Sequence, residues 1–356
     1  MANLSVSSQR PVIIQQNIQQ NITIQQNNTE VNVYMGGDAF ENPVTPPAVG
    51  DVPARAPFEA PSRQDKYEAM KMILSAESRN SNDAQSALSM IESHLKPGEN
   101  IVDAARTYVR LLKAESRNTT DAVAAYRMIN NHMRSHETRA EATNTYMKIL
   151  SAESRNTTDA KAVYRMVDQH MHKAHGRDVT ADIYNRLLSA ESRNTTDAAN
   201  AFRTVADSLK PGESFGVAAQ HYTSLLGAES RNTTDAVAAY RMINSYVGSE
   251  TARTFTGKVY EKMLSAESRN TTDATSAFRM VADNLKPGES FGTAAESYMS
   301  LLGAESRNTT DAMAAYRMIN ERTSAGNRVE DTKMYEQILR NNSRNTTAAM
   351  SEYKMY

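Results

Sequence analysis

The sequence predicts an all-α fold: a right-handed α-solenoid of about eight helix-turn-helix repeats, preceded by a polar N-terminal tail. Three observations predict it. The motif Ala-Glu-Ser-Arg-Asn-Thr-Thr-Asp-Ala, or a close variant, recurs with its glutamate at Glu77, Glu115, Glu153, Glu191, Glu229, Glu267 and Glu305, always 38 residues apart. A degenerate eighth copy keeps Ser343 to Thr347 at an offset of 37. Each copy lies between two anchors. Before it stands Tyr108, Tyr146, Tyr184, Tyr222, Tyr260 or Tyr298, with Met70 and Tyr335 at the ends; after it stands Leu88, Tyr126, Tyr164, Phe202, Tyr240, Phe278, Tyr316 or Tyr353. The apolar residues around each anchor have helical spacing, as in Ala142, Tyr146, Ile149, Leu150 and in Ala122, Ala125, Tyr126, Ile129, Met133.

Residues 1–61 differ in composition from the rest. They hold seven of the ten prolines, no lysine, and two arginines against five carboxylates, a formal charge of −3. Val12 to Tyr34 alternates β-branched residues with Gln, Asn and Thr. Such a chain is expected to be disordered because it buries too little apolar area, or to form a β-hairpin or edge strand used in self-association or partner binding. Asn42 to Pro61, with six prolines, reads as an extended spacer.

Residues 62–356 form the repeat domain. Each unit is expected to contain two amphipathic helices of about 14 to 17 residues joined by the motif. Asn118 suits a left-handed position ending the first helix, Thr119 suits an N-cap, and Asp121 falls in the first turn of the second helix, facing the positive end of its dipole. The connection between units varies. It is Leu-Lys-Pro-Gly-Glu at Leu95, Leu209 and Leu285, but differs at His172 and at Gly248. Stretches 76 residues apart, from Ala201 and from Ala277, are nearly identical, so pairs of repeats were duplicated together.

The paired helices with Ala and Tyr anchors resemble tetratricopeptide-like α-solenoids, including pentatricopeptide proteins. That likeness implies a stack in which neighbours share one core and a curved surface binds a partner. The period is 38 instead of 34 or 35, and the Trp-Leu-Gly-Tyr signature is absent, so no binding residues carry over. The lysine-free, Ser/Asn/Gln/Thr-rich start followed by a proline-rich spacer resembles the leaders of type III secreted bacterial effectors. This likeness implies export from a bacterial cytoplasm into a host cell and a host protein as partner.

Composition excludes several chemistries. With no cysteine, disulfide frameworks and thiolate sites are impossible. With 40 basic and 41 acidic residues, no net field draws the chain to nucleic acid, and the repeat domain carries only +2 once the tail's −3 is removed from −1. No apolar run spans a bilayer and no Sec signal opens the sequence, so a soluble protein without membrane contact is expected. The Asn-Thr-Thr sequons are explained by capping. No phosphate loop, triad or zinc motif occurs, so no enzyme activity, cofactor or metal is expected.

The expected function is a non-catalytic protein-interaction scaffold. A self-assembling structural protein, associating through the tail or the terminal repeats, is the alternative; repeat-based nucleic-acid binding follows it. Candidate partner-binding residues are Glu115, Arg117, Asp121 and Arg127 on two periodic lines, and His132, His136, His170, His172, His175 and Arg177 in the variable connections. His132 and His170 are one period apart, which makes a shared metal site geometrically possible. A structural reading of the motif competes with recognition: Arg117 would pair with a Glu or Asp of its own or a neighbouring turn. Specificity is then expected where copies differ, at Asn131 to Thr138, Asp168 to Thr180 and Ser245 to Thr254.

Overall fold

The computed structural model describes residues 60–134, 137–173, 176–324 and 326–356. The strand-prone Val12 to Tyr34 and nearly all of the spacer lie outside them. Among the described residues the secondary structure is helical, without strands. Eight pairs follow one another: α1 (Arg63–Ala76) and α2 (Ser81–Ser93), α3 (Ile101–Ala114) and α4 (Thr119–His132), α5 (Arg139–Ala152) and α6 (Thr157–His170), α7 (Arg177–Ala190) and α8 (Thr195–Asp207), α9 (Phe215–Ala228) and α10 (Thr233–Tyr246), α11 (Glu250–Ala266) and α12 (Thr271–Asp283), α13 (Phe291–Ala304) and α14 (Thr309–Arg322), and α15 (Arg328–Asn341) and α16 (Thr346–Tyr353). A 3-10 turn, Met171–Lys173, extends α6. The helical-repeat architecture expected from the period is therefore present.

The described residues fall into two compact units divided between 185 and 186, within α7. In the first, α1 packs on α3 and α3 on α5, while α4 packs on α6. In the second, α9, α11, α13 and α15 pack in succession, and so do α8, α10, α12, α14 and α16. Anchor rings from the two helices of a repeat meet edge to face, as Tyr108 with Tyr126 at 6.2 Å and Tyr298 with Tyr316 at 6.1 Å between centroids. Alanines at Ala84, Ala122, Ala198 and Ala274 are fully buried and let the helices approach closely.

The repeated turn corrects the expected capping. Asn118 is not left-handed; it has φ −82° and ψ 104° and is itself the N-cap, its side chain accepting from the Asp121 amide. The left-handed residues are Ser116 and Arg117, at φ 54° and 62°, and the same Ser-Arg pair is left-handed in all eight turns. The Arg117 amide reaches back to the Leu112 carbonyl at 2.7 Å, closing the first helix as a Schellman-type stop.

Thr119 does not cap. Its hydroxyl donates to Glu77 Oε2 of the preceding repeat at 2.6 Å, and the Tyr108 hydroxyl donates to Glu77 Oε1. The motif glutamate is thus one half of a clasp between neighbouring repeats. Glu115 accepts from Tyr146 and Thr157, Glu191 from Tyr222 and Thr233, Glu229 from Tyr260 and Thr271, Glu267 from Tyr298 and Thr309, and Glu305 from Tyr335 and Thr346. Burial and the adjacent carboxylate together hold the clasp phenols protonated, far above the usual tyrosine range.

A second device crosses some junctions. Arg139, at the start of α5, lies over the Tyr126 ring at 4.7 Å and forks onto both oxygens of Glu99, at 2.6 and 2.8 Å. It also donates to Asn130 Oδ1 and to the His94 carbonyl. Burial opposes the charged form of Glu99, but the Arg139 fork and the Lys96 amide outweigh it and hold its carboxyl low. Arg177, Arg253 and Arg328 repeat the arrangement with Glu137, Glu213 and Glu289, over Tyr164, Tyr240 and Tyr316. Other junctions are apolar: Phe202 meets Phe215 at 5.1 Å and Phe278 meets Phe291 at 5.0 Å.

These alternatives obey a local rule. Where the second anchor is Tyr126, Tyr164, Tyr240 or Tyr316, an Asn or Asp follows four residues later (Asn130, Asp168, Asn244, Asn320) and the next unit opens with the buried Arg. Where the anchor is Phe202 or Phe278, the residue four on is Ala206 or Ala282 and the next unit opens with Phe. A buried guanidinium must meet acceptors, and a phenyl ring must not strand them, so the three positions change together. This coupling is the physical content of the 76-residue similarity.

Candidate interaction surface

The repeated turn places its residues with opposite fates. The helix stop directs the glutamate inward, so Glu115 is 5% exposed and held in the clasp. This removes it from the candidate surface: a partner cannot reach a carboxylate already occupied by Tyr146 and Thr157. Asn118 is consumed by capping, and its amide also donates to Asp121 Oδ2 at 2.8 Å, so Asp121 is half-buried and pinned within its own turn.

The arginine of the motif is the exception. Arg79, Arg117 and Arg155 in the first unit, and Arg193, Arg231, Arg269, Arg307 and Arg344 in the second, are all exposed. Consecutive left-handed residues turn their side chains away from the helix pair. The expected pairing of Arg117 with a carboxylate is not found: no ion pair involves any of these eight among the described residues. Arg307 and Arg344 instead donate at 3.2 Å to the hydroxyls of Ser268 and Ser306, the motif serines one repeat earlier. These two side chains thus lie along the edge, each near the preceding turn. Arg127 and Arg165 in the first unit, and Arg203, Arg241, Arg279 and Arg317 in the second, are likewise exposed on the even-numbered helices.

The variable connections are less available than their sequence suggests. Arg177 is 3% exposed, bonded to Glu137, Asp168 and the His132 carbonyl, and so belongs to the junction and not to a partner surface. His132 Nδ1 lies 2.8 Å from Asp168 Oδ2, beside the same arginine. Burial opposes the charged form of Asp168, yet the hydrogen bonds from Arg177 and His132 outweigh it and keep its carboxyl below the usual range. His170 Nδ1 faces the Met166 carbonyl at 2.9 Å, and His172 is exposed. His136 and His175 lie outside the described residues. Asp168 to His170 and Arg177 to Thr180, read as loop, are helical.

Sequence reasoning missed Arg139, Arg253 and Arg328 with their glutamates. The signal was the joint change of the Tyr, Asn and Arg positions described above. An open trough of about 580 Å³ lies beside one of these sets, between α3 and α5, and mixes Lys96, Arg106 and Arg110 with Glu99 and Asp103. Among the described residues no cluster of three His, Asp or Glu side chains could hold a metal; His132 faces Asp168 and His170 faces the Met166 carbonyl. No described helix is long and apolar enough to cross a membrane.

No known protein family matches the chain, and neither any curated protein nor any solved structure is significantly similar to it. Fold and surface together define a helical-repeat protein whose repeated motif buries its glutamate between repeats and leaves its arginine outside at every turn.

Proposed function

We propose that the chain is a non-catalytic scaffold that binds an acidic protein surface across several repeats. One observation carries the reading: the charged residues of the motif are held inside the turn, the glutamate in the clasp and the aspartate by the capping asparagine, except the arginine, which is exposed in all eight copies and pairs with no acid among the described residues. Left-handed backbone costs an L-residue about 1–2 kcal/mol, so glycine would serve the turn at lower cost if only a turn were needed. Packed helices lie about 8–10 Å apart, so successive arginines in a unit offer charges at nearly that interval. An acidic segment in the polyproline II conformation, with a carboxylate at every third residue, presents those carboxylates on one face about 9 Å apart, a matching spacing. The repeat domain's small net charge and the Asp in seven of the eight turns weigh against a polyphosphate backbone.

The tail's resemblance to secreted effector leaders makes a host protein the partner in this reading; it rests on composition alone. The test is affinity capture with the full chain from candidate host and bacterial extracts, beside a variant carrying Arg117→Gln, Arg155→Gln, Arg231→Gln and Arg269→Gln. Proteins retained by the native chain and lost from the variant are expected. Capture of nothing above background, or of the same proteins by both, refutes the proposal.

A further inference from the structure

The clasp is complete only between internal neighbours. Each of repeats two to seven carries both halves, a glutamate toward the next repeat and a tyrosine with a threonine toward the previous one. The first repeat lacks the phenolic donor. Met70 stands where Tyr108 and its counterparts stand, and Ser81 keeps the hydroxyl of the threonine without its methyl group. The last repeat lacks the carboxylate that accepts two hydroxyls, because the shorter, neutral Asn342 occupies the glutamate position. Asn342 also turns back on its own repeat, its amide donating to the Ile338 carbonyl at 2.9 Å and to Glu352 Oε2 at 2.8 Å.

The steric signature agrees. The two positions four and three residues before the anchor tyrosine are small in repeats two to seven: Ala104 and Ala105, Ala142 and Thr143, Thr180 and Ala181, Ala218 and Ala219, Thr256 and Gly257, Ala294 and Ala295. All are buried. In the first repeat they are Lys66 and Tyr67. Tyr67 stands 65% exposed, and Lys66 is paired with Glu92 at 3.1 Å. A preceding repeat would have to bury a bulky ring and an ammonium where repeats two to seven have only methyl groups, hydroxyls or hydrogen and repeat eight has Thr332 beside a half-buried Asp331.

We infer that the array is closed at both ends by side-chain chemistry, so that a second copy of this chain cannot continue the stack. An identical helix-turn-helix unit repeated without such ends would present complementary faces and polymerise head to tail, because that contact is heterologous and does not close. The closure is independent of what the arginine edge binds. It also removes the terminal repeats as a route to self-assembly.

The experiment restores the missing halves in the full chain: Lys66→Ala, Tyr67→Ala, Met70→Tyr and Ser81→Thr at one end, and Asn342→Glu at the other. Sedimentation velocity is measured over roughly a hundredfold range of concentration, with circular dichroism to establish that each variant is folded. The native chain and either half-set alone are expected to stay at 39.4 kDa, whereas the combined variant forms concentration-dependent multiples of that mass. A folded combined variant that remains monomeric overturns the inference. So does native association that Asn342→Arg abolishes, since the end would then already be in use. Native association indifferent to Asn342→Arg lies elsewhere on the chain, and the inference then stands only if the combined set adds a further, Asn342→Glu-dependent step.

Discussion

The clasp between Glu191 and Tyr222 should be a net source of stability, and a double-mutant cycle isolates it. Glu191 is 5% exposed; its Oε1 accepts from Tyr222 at 2.5 Å and its Oε2 from Thr233 at 2.5 Å. Tyr222→Phe keeps the buried ring and deletes one hydrogen bond to a charged acceptor, which costs about 2 kcal/mol. Glu191→Gln retains an acceptor for one hydroxyl but must turn the other bond around, and costs about 1–2 kcal/mol. If the two groups act as a pair, the double variant loses little more than the worse single, leaving a coupling of about 1–2 kcal/mol. Urea unfolding followed by far-UV circular dichroism gives the global values. Native-state hydrogen exchange in α8, α9 and α10 is needed as well, because repeat arrays can open locally without unfolding throughout. About 2 kcal/mol should raise exchange there by about 30-fold. A coupling below about 0.3 kcal/mol, the level of simple additivity, would mean that hydroxyl and carboxylate are neighbours without being partners.

The junction rule predicts a rescue. Arg253→Phe alone leaves the fully buried Glu213 side chain without its cation and should cost about 3–5 kcal/mol. Adding Glu213→Thr, Tyr240→Phe and Asn244→Ala recreates the residues found one repeat later, at Thr251, Phe278, Ala282 and Phe291, and should recover most of that loss in urea midpoints; a set no more stable than the single variant contradicts the rule. Stability should also fall at both pH extremes. The clasp phenols are raised above their ordinary value of 10.0, so their contribution is intact below pH 10 and declines as pH rises beyond it, by up to about 1.4 kcal/mol per pH unit for each tyrosine. Phenolate absorbance from these tyrosines should appear together with loss of helix, and ordinary titration near pH 10 in an intact helical protein would contradict it. On the acid side, Asp168 and Glu99 are held low, so their contribution is present at neutrality and is lost as pH falls below the unfolded values of 3.8 and 4.5. Asp168→Asn should flatten part of that acid limb in pH-dependent melting.

Much of the architecture was legible before any coordinates. The 38-residue period, two helices per unit, and the buried anchors from Tyr108 to Tyr335 follow from spacing, because helical periodicity and a repeated stop signal are local properties of the chain. The structural role of the motif was also foreseeable from its residue types. The assignment within it was not: Asn118 and Ser116 are both plausible in a left-handed turn, and Thr119 and Asn118 are both good caps. Composition could not rank them, and the backbone of the helix stop did.

What the sequence by itself determined is which segments are helices and how often they recur. Tertiary structure alone decided which charges face inward. Glu115 meets donors 31 and 42 residues away, and Arg139 meets an acceptor 40 residues before it, so their burial depends on contacts that exist only once neighbouring repeats have packed. Arg117, two residues from Glu115, is left outside by two left-handed dihedrals. In a stack held by nearest-neighbour contacts, the direction in which a charged side chain points is settled at the interface between repeats, and no single repeat contains it.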